Sequence, residues 1–339
     1  MTTSDASTSN IPEMQSPKPV QDVETALREI NGQEQLYSIA LFDILGFSNF
    51  VEQNGNHTIL GLYTRLLEII HAQESSPDGA ASRAGSVVPV PTSPNDWKSN
   101  ALIADANGFV QVCHFSDTFI IYVNYLLQKQ GWWLRDTMYE PYPLLWCDPN
   151  TPCNSIFLEK HALYLSFLQT CMEFFCQSII AGIPLRGCIS TGFAMMDPYK
   201  SIYFGSPLVE AARGEPAQNA IGFAFGKSFN VYHPVYNDYF IPYLGHMKLG
   251  DKRTDFLSPM VPDWPKYWRQ HFRQEDYCFS DCISRMNSNP SFSSYYDNVL
   301  KFFEFSDKHT DWAKEIDRTD IRDINDYYDR VKRWYKAAD

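Results

Sequence analysis

The chain has 339 residues, 44% of them hydrophobic and 15% aromatic, enough to bury one large core or two modest ones. Its 40 acidic and 28 basic residues give a formal charge of −12. That balance argues against non-specific nucleic-acid binding, whose affinity comes mainly from Lys and Arg neutralising phosphates. A pocket for one nucleotide stays open, since a metal ion can supply the missing positive charge.

No apolar run reaches the roughly 18 residues of a membrane helix, and the first residues lack a charged-then-apolar leader, so the expectation is a cytoplasmic chain with no membrane insertion. Eight cysteines are scattered along it. The close pairs Cys147/Cys153 and Cys278/Cys282 form no paired CxxC motif and have no zinc-type histidine spacing, which reads as reduced thiols.

In chain order, residues 1 to about 34 are rich in Ser, Thr, Pro and Gln, with Pro12, Pro17 and Pro19 breaking regular structure, and read as a flexible arm. The run YSIALFDILGFSNF (Tyr37 to Phe50) opens with a strand over Tyr37–Phe42 and leaves Asp43 at its end, just before Gly46. A helix follows from about His57 to Gln73, with Ile59, Leu62, Tyr63, Leu66, Leu67 and Ile70 spaced by three and four and Thr58 as N-cap. Residues 75–100 are Pro, Ser and Gly rich and read as an inserted loop.

Phe109 to Val123 predicts two strands joined by a tight turn at Phe115–Thr118, which carries Asp117. A second irregular insertion, 128–154, leads into a helix over Ile156–Ile180. Strands at Leu185–Ala194, Ser201–Phe204 and Ile221–Phe225 enclose a helix from Ser206, the N-cap, and Pro207 to about Glu215. The fold class is therefore α+β, with a ferredoxin-like βαββαβ core over 36–245 and a mostly helical C-terminal extension over 246–339.

In that order of elements, the end of the first strand lies beside the turn between the two central strands, so Asp43 and Asp117 converge. Two carboxylates held close repel one another and favour divalent cations. The plainer alternatives are a cap for Asp43 and an ordinary turn residue for Asp117. The amides from Ile44 through Leu45, Gly46 and Phe47 to Ser48 offer backbone donors for phosphate oxygens. Arg213, two turns into its helix, can face a neighbouring subunit and stabilise charge on a phosphoryl group, or serve as a salt-bridged surface residue. Arg186 reads as structural.

FDILGF, SDT in a hairpin, RG with a following strand glycine, and FG…EAAR together resemble the class III nucleotidyl cyclase domain over about residues 36–230. The resemblance implies that Asp43, Ile44 and Asp117 hold two Mg²⁺ or Mn²⁺ ions, and that Arg213 acts across a homodimer interface. It departs at the base-reading positions, which are Cys113 and Ile202 here, and at the usual transition-state Asn, which is Val209. Those departures resemble the pyrimidine cyclases of bacterial Pycsar antiphage defence, with Phe47, Phe115 or Tyr203 narrowing the base pocket. The implied activity is conversion of UTP, or CTP, to the cyclic monophosphate, which acts on a separately encoded effector. The alternatives are an adenylyl or guanylyl cyclase with an altered pocket and a silent nucleotide-binding module. A palm-type polymerase is disfavoured by the charge.

Overall fold

The structure, a computed structural model, describes residues 34–53, 55–74, 110–124, 155–198, 200–229, 239–248, 250–272, 277–286, 292–316, 321 and 324–338. The expected N-terminal arm up to residue 33, both inserted loops and the Cys147/Cys153 pair lie outside the described residues.

The chain is mixed α and β. It runs β1 (Glu34–Ile44), α1 (Phe47–Gln53), α2 (Asn56–Glu74), β2 (Gln111–Phe115), β3 (Thr118–Asn124) and α3 (Ser155–Ile180). Next come β4 (Leu185–Asp197), β5 (Ile202–Gly205), α4 (Ser206–Gly214), a 3₁₀ turn at Glu215–Ala217, and β6 (Gly222–Phe225). The sheet order is β2-β3-β1-β4-β5, antiparallel throughout, with β6 pairing parallel to the first half of β4. The first four of these strands and the helices α2 and α3 follow the expected βαββαβ order.

β1 is central, paired along both edges, and with a core cluster on each face it reads as a near-continuous hydrophobic run. Its even positions point to the main core, where Phe42 meets Phe174 of α3 at 5.3 Å and Phe223 of β6 at 5.2 Å between ring centroids. Its odd positions Tyr37 and Ile39 join a second cluster with Ile120, Tyr122, Ala194 and Met196. The sheet curls over that second cluster. Phe115 of β2 stacks on Tyr203 of β5 at 6.2 Å, although those strands stand at opposite ends of the sheet order.

The remainder is largely helical, as expected: α5 (Trp264–His271), α6 (Phe279–Met286), α7 (Ser293–Lys308), α8 (Trp312–Glu315) and α9 (Ile324–Ala338). It also contains a 3₁₀ turn at Lys252–Phe256 and the strand β8 (Met260–Pro262), which pairs with β7 (Phe240–Pro242). These helices share the core of the sheet. Trp264 is fully buried and touches Phe175 at 4.8 Å and Phe302 at 5.7 Å. Asp263 caps α5 by accepting from the Lys266 amide, and the Ser306 hydroxyl on α7 donates to the same carboxylate at 2.5 Å.

Several boundaries differ from the sequence expectation. α1 was not foreseen, because FSNFVEQ has no apolar stripe long enough to read. Thr58 sits inside the first turn of α2 rather than capping it, its amide donating to the Gly55 carbonyl. Ser206 is the first residue of α4 and not its cap; Gly205 holds the cap position, and the Ser206 hydroxyl turns to the Phe193 carbonyl instead. A Cβ on Gly205 would stand 2.5 Å from backbone atoms of β4, so only glycine fits where β5 turns into α4.

Candidate functional site

Asp43 lies within β1, between two neighbours fixed by strand register: Thr118 on β3 and Arg186 on β4. The Thr118 hydroxyl donates to Asp43 Oδ1 at 3.3 Å. Asp117 occupies the two-residue turn with Ser116, whose positive φ of 52° is the left-handed conformation such turns demand. The Ile44 amide donates to the Asp117 carbonyl at 3.3 Å. That bond sets the turn against the end of β1 and brings the two aspartates together, as the order of elements predicts.

The corner disfavours ionisation of Asp43. Burial, then Glu215, then Asp117 push the Asp43 carboxyl up to about 7, while Arg186 and the Thr118 hydrogen bond pull less strongly the other way. Tyr63 on α2 belongs to the same corner: burial and the two aspartates raise its phenol. Glu215, the first residue past α4, is buried and ion-paired with the Arg186 guanidinium. Arg186 also donates to the Tyr295 hydroxyl at 3.5 Å and lies 5.6 Å from the centre of that ring. Arg186 thus has the structural partner expected of it, and it stands directly beside Asp43.

Sequence reasoning missed Glu215, Tyr63 and Tyr295. In the sequence Tyr63 reads as one position of a hydrophobic stripe, and Tyr295 lies in a segment with no motif. The one available signal was the acid in Arg213-Gly214-Glu215-Pro216, immediately after a helix-ending glycine.

The expected row of phosphate donors is shorter than the sequence suggests. The Ile44 amide is taken by Asp117, and the Leu45 amide donates to the Pro184 carbonyl at 2.9 Å. The amides of Gly46, Phe47 and Ser48, at the start of α1, have no acceptor among the described residues. Gly46 has φ 75°, and a Cβ there would stand 2.7 Å from the Phe292 ring, so the C-terminal region seals one side of this turn. The Phe47 ring faces α2, 5.9 Å from Tyr63.

Cys113 and Phe115 do meet, through Tyr203. The Tyr203 hydroxyl hydrogen-bonds the Cys113 sulfur, and burial pushes both the thiol and the phenol up to about 12. Ile202 does not join them: alternation along β5 sends it and Phe204 to the face opposite Tyr203, where both are exposed, as is Phe193 on β4. Arg213 is also exposed, in the last turn of α4, with its guanidinium 5.1 Å from the centre of the Phe256 ring. It is not among the charges that shift Asp43.

Two carboxylates with hard oxygen donors suit Mg²⁺ or Mn²⁺ better than softer metals. Among the described residues, no group of three or more His, Cys, Asp or Glu side chains is placed to hold a metal ion, so any ion at this pair needs further oxygens from backbone, water or substrate. Six cysteines among the described residues are free, four of them buried. No described helix is long and apolar enough to cross a membrane. Comparison with family models, curated proteins and solved structures gives no match to this chain.

Proposed function

We propose that the chain is a nucleotide cyclase of the class III type, acting on UTP or CTP as a homodimer. The observation that carries this reading is the Asp43–Asp117 pair, set side by side by strand register, with the Asp43 carboxyl pushed up to about 7 by burial first, then by Glu215 and Asp117. A half-buried carboxyl with two acids beside it is poised for a divalent cation and costly to keep without a purpose. Asp43, Asp117 and the backbone at Ile44 would hold two Mg²⁺ or Mn²⁺ ions. When bound, such ions neutralise phosphate charge and acidify a nearby hydroxyl.

The chain's own groups have distinct tasks in this reading. The amides of Gly46, Phe47 and Ser48 donate to triphosphate oxygens, and Thr118 keeps Asp43 oriented. The ribose 3′-oxygen attacks the α-phosphorus, the bond to the bridging oxygen of the β-phosphate breaks, and pyrophosphate leaves. Cys113 and Tyr203, both uncharged at neutral pH, offer a weak sulfur acceptor and a phenolic hydroxyl to a base edge, with Phe115 as a stacking surface. Arg213 faces outward and so serves a partner subunit's site, stabilising charge there. The exposed strip of Phe193, Ile202 and Phe204 on the β4–β5 edge supports association with a second copy. The cyclic product would act on a separately encoded effector in antiphage defence.

A second reading, a silent nucleotide-binding module, is favoured by one observation: the Ile44 and Leu45 amides are already spent and Phe292 crowds Gly46. Incubation with each of the four ribonucleoside triphosphates and Mn²⁺, with products resolved by mass, separates the two. Cyclic UMP or cyclic CMP is expected, lost on Asp117→Asn. No cyclic product from any substrate would leave the silent module, and cyclic AMP alone would exclude the pyrimidine assignment.

A further inference from the structure

A cavity of about 560 Å³ opens between residues 244–259 and the last helix, α9. Among the described residues, four lysines line it, Lys227, Lys248, Lys332 and Lys336, against two carboxylates, Asp255 and Asp329, in a chain whose net charge is −12. Asp329 already has Lys332 at 3.3 Å, and the Lys248 ammonium donates to the Pro216 carbonyl at 2.7 Å. Lys227 and Lys336 have no ion-pair partner among the described residues. The rest of the wall includes Leu244, Met247 and Tyr328, which give it an apolar side.

Size, charge and apolar wall together restrict the occupant. The volume lies within the roughly 300–1,000 Å³ common for small-molecule sites. A neutral ligand would desolvate the lysines without pairing them, and a bare inorganic ion would leave the apolar wall facing water. Among the described lining residues, four lysines against two aspartates leave two positive charges, which match the about −1.5 to −2 of a phosphomonoester at neutral pH. We propose that this cavity binds a small organic phosphate of mononucleotide size, at a place separate from the Asp43–Asp117 pair. This binding goes beyond the cyclase reading and does not depend on it.

Calorimetric titration of the full chain with uridine monophosphate in EDTA tests the site, with uridine and inorganic phosphate as controls. One site per chain is expected, with the same Kd in Asp43→Asn. Binding should weaken at least tenfold in the Lys332→Glu/Lys336→Glu double variant and about threefold in Lys227→Ala. Uridine and phosphate alone should each bind at least tenfold more weakly than the nucleotide. The proposal is overturned by the absence of saturable binding to the wild-type chain, or by phosphate binding as tightly as the nucleotide. It is equally overturned if Asp43→Asn abolishes binding while the lysine variants retain it.

Discussion

The seam where Trp264 meets Phe175 and Phe302 and the corner where Asp43 meets Arg186 are made of opposite ingredients. The seam is aromatic, neutral and fully buried, and it joins α3, whose Phe175 packs on Phe223 of β6, to the C-terminal helices. The corner is half-buried and charged, with three carboxylates and one guanidinium in reach of each other. Cohesion resides in the first, and the proposed chemistry is assigned to the second, a division expected where a site keeps groups that folding alone would discard.

The largest effect should come from breaking the seam. Trp264→Ala removes a fully buried indole from contact with both halves, and should cost about 3–5 kcal/mol in urea unfolding. The loss should appear equally in probes on α3 and on α7, because both pack on the same side chain. A loss confined to the C-terminal helices would mean that the two regions unfold independently.

A smaller effect should follow at the point where seam and corner touch. Gly46→Ala places a side chain in a left-handed conformation, which costs roughly 1–2 kcal/mol, and against the Phe292 ring besides. Adding Phe292→Ala to Gly46→Ala should recover the steric part and leave the conformational part. A double-mutant cycle in urea reads the difference as a coupling energy. Strict additivity would show that Phe292 does not press on the turn.

The smallest effect is the most specific to the corner. The folded chain holds the Asp43 proton up to about pH 7, above the usual carboxylate range. Its stabilising contribution is therefore present in acid and is lost as pH rises through 7. In EDTA, Asp43→Asn should be more stable than the wild type at pH 8, by on the order of 1–2 kcal/mol after allowance for partial exposure. The gap should close towards pH 4. A variant less stable than the wild type at pH 8 would mean that the Thr118 and Arg186 contacts outweigh the cost of burial and the repulsion from Glu215 and Asp117.

Much of the corner was legible because it depends on order and register. The sequence of strands and helices predicts that the end of β1 meets the β2–β3 turn, and the Ile44–Asp117 hydrogen bond bears this out. What could not be read depends on contacts between distant segments. Glu215 reaches Arg186 only because α4 ends against β4, and Tyr295 arrives from a region with no sequence link to the site. The meeting of Cys113 with Tyr203 needs a curled sheet, and curl leaves no mark on a hydrophobic pattern. Ile202 illustrates the reverse failure: spacing by family pattern put it with the base-reading residues, while alternation on the short strand β5 turns it away.

The ring of Phe292 against Gly46 has one further consequence, for how such a chain can diversify. An element that fills the space beside a glycine cannot be exchanged for a foreign one without exposing the turn or colliding with it. The C-terminal region is therefore part of the wall of this turn and not an appendage to it. A chimera joining residues up to 245 to an unrelated tail would inherit the glycine without its filler, leaving the loop beside Asp43 free to wander.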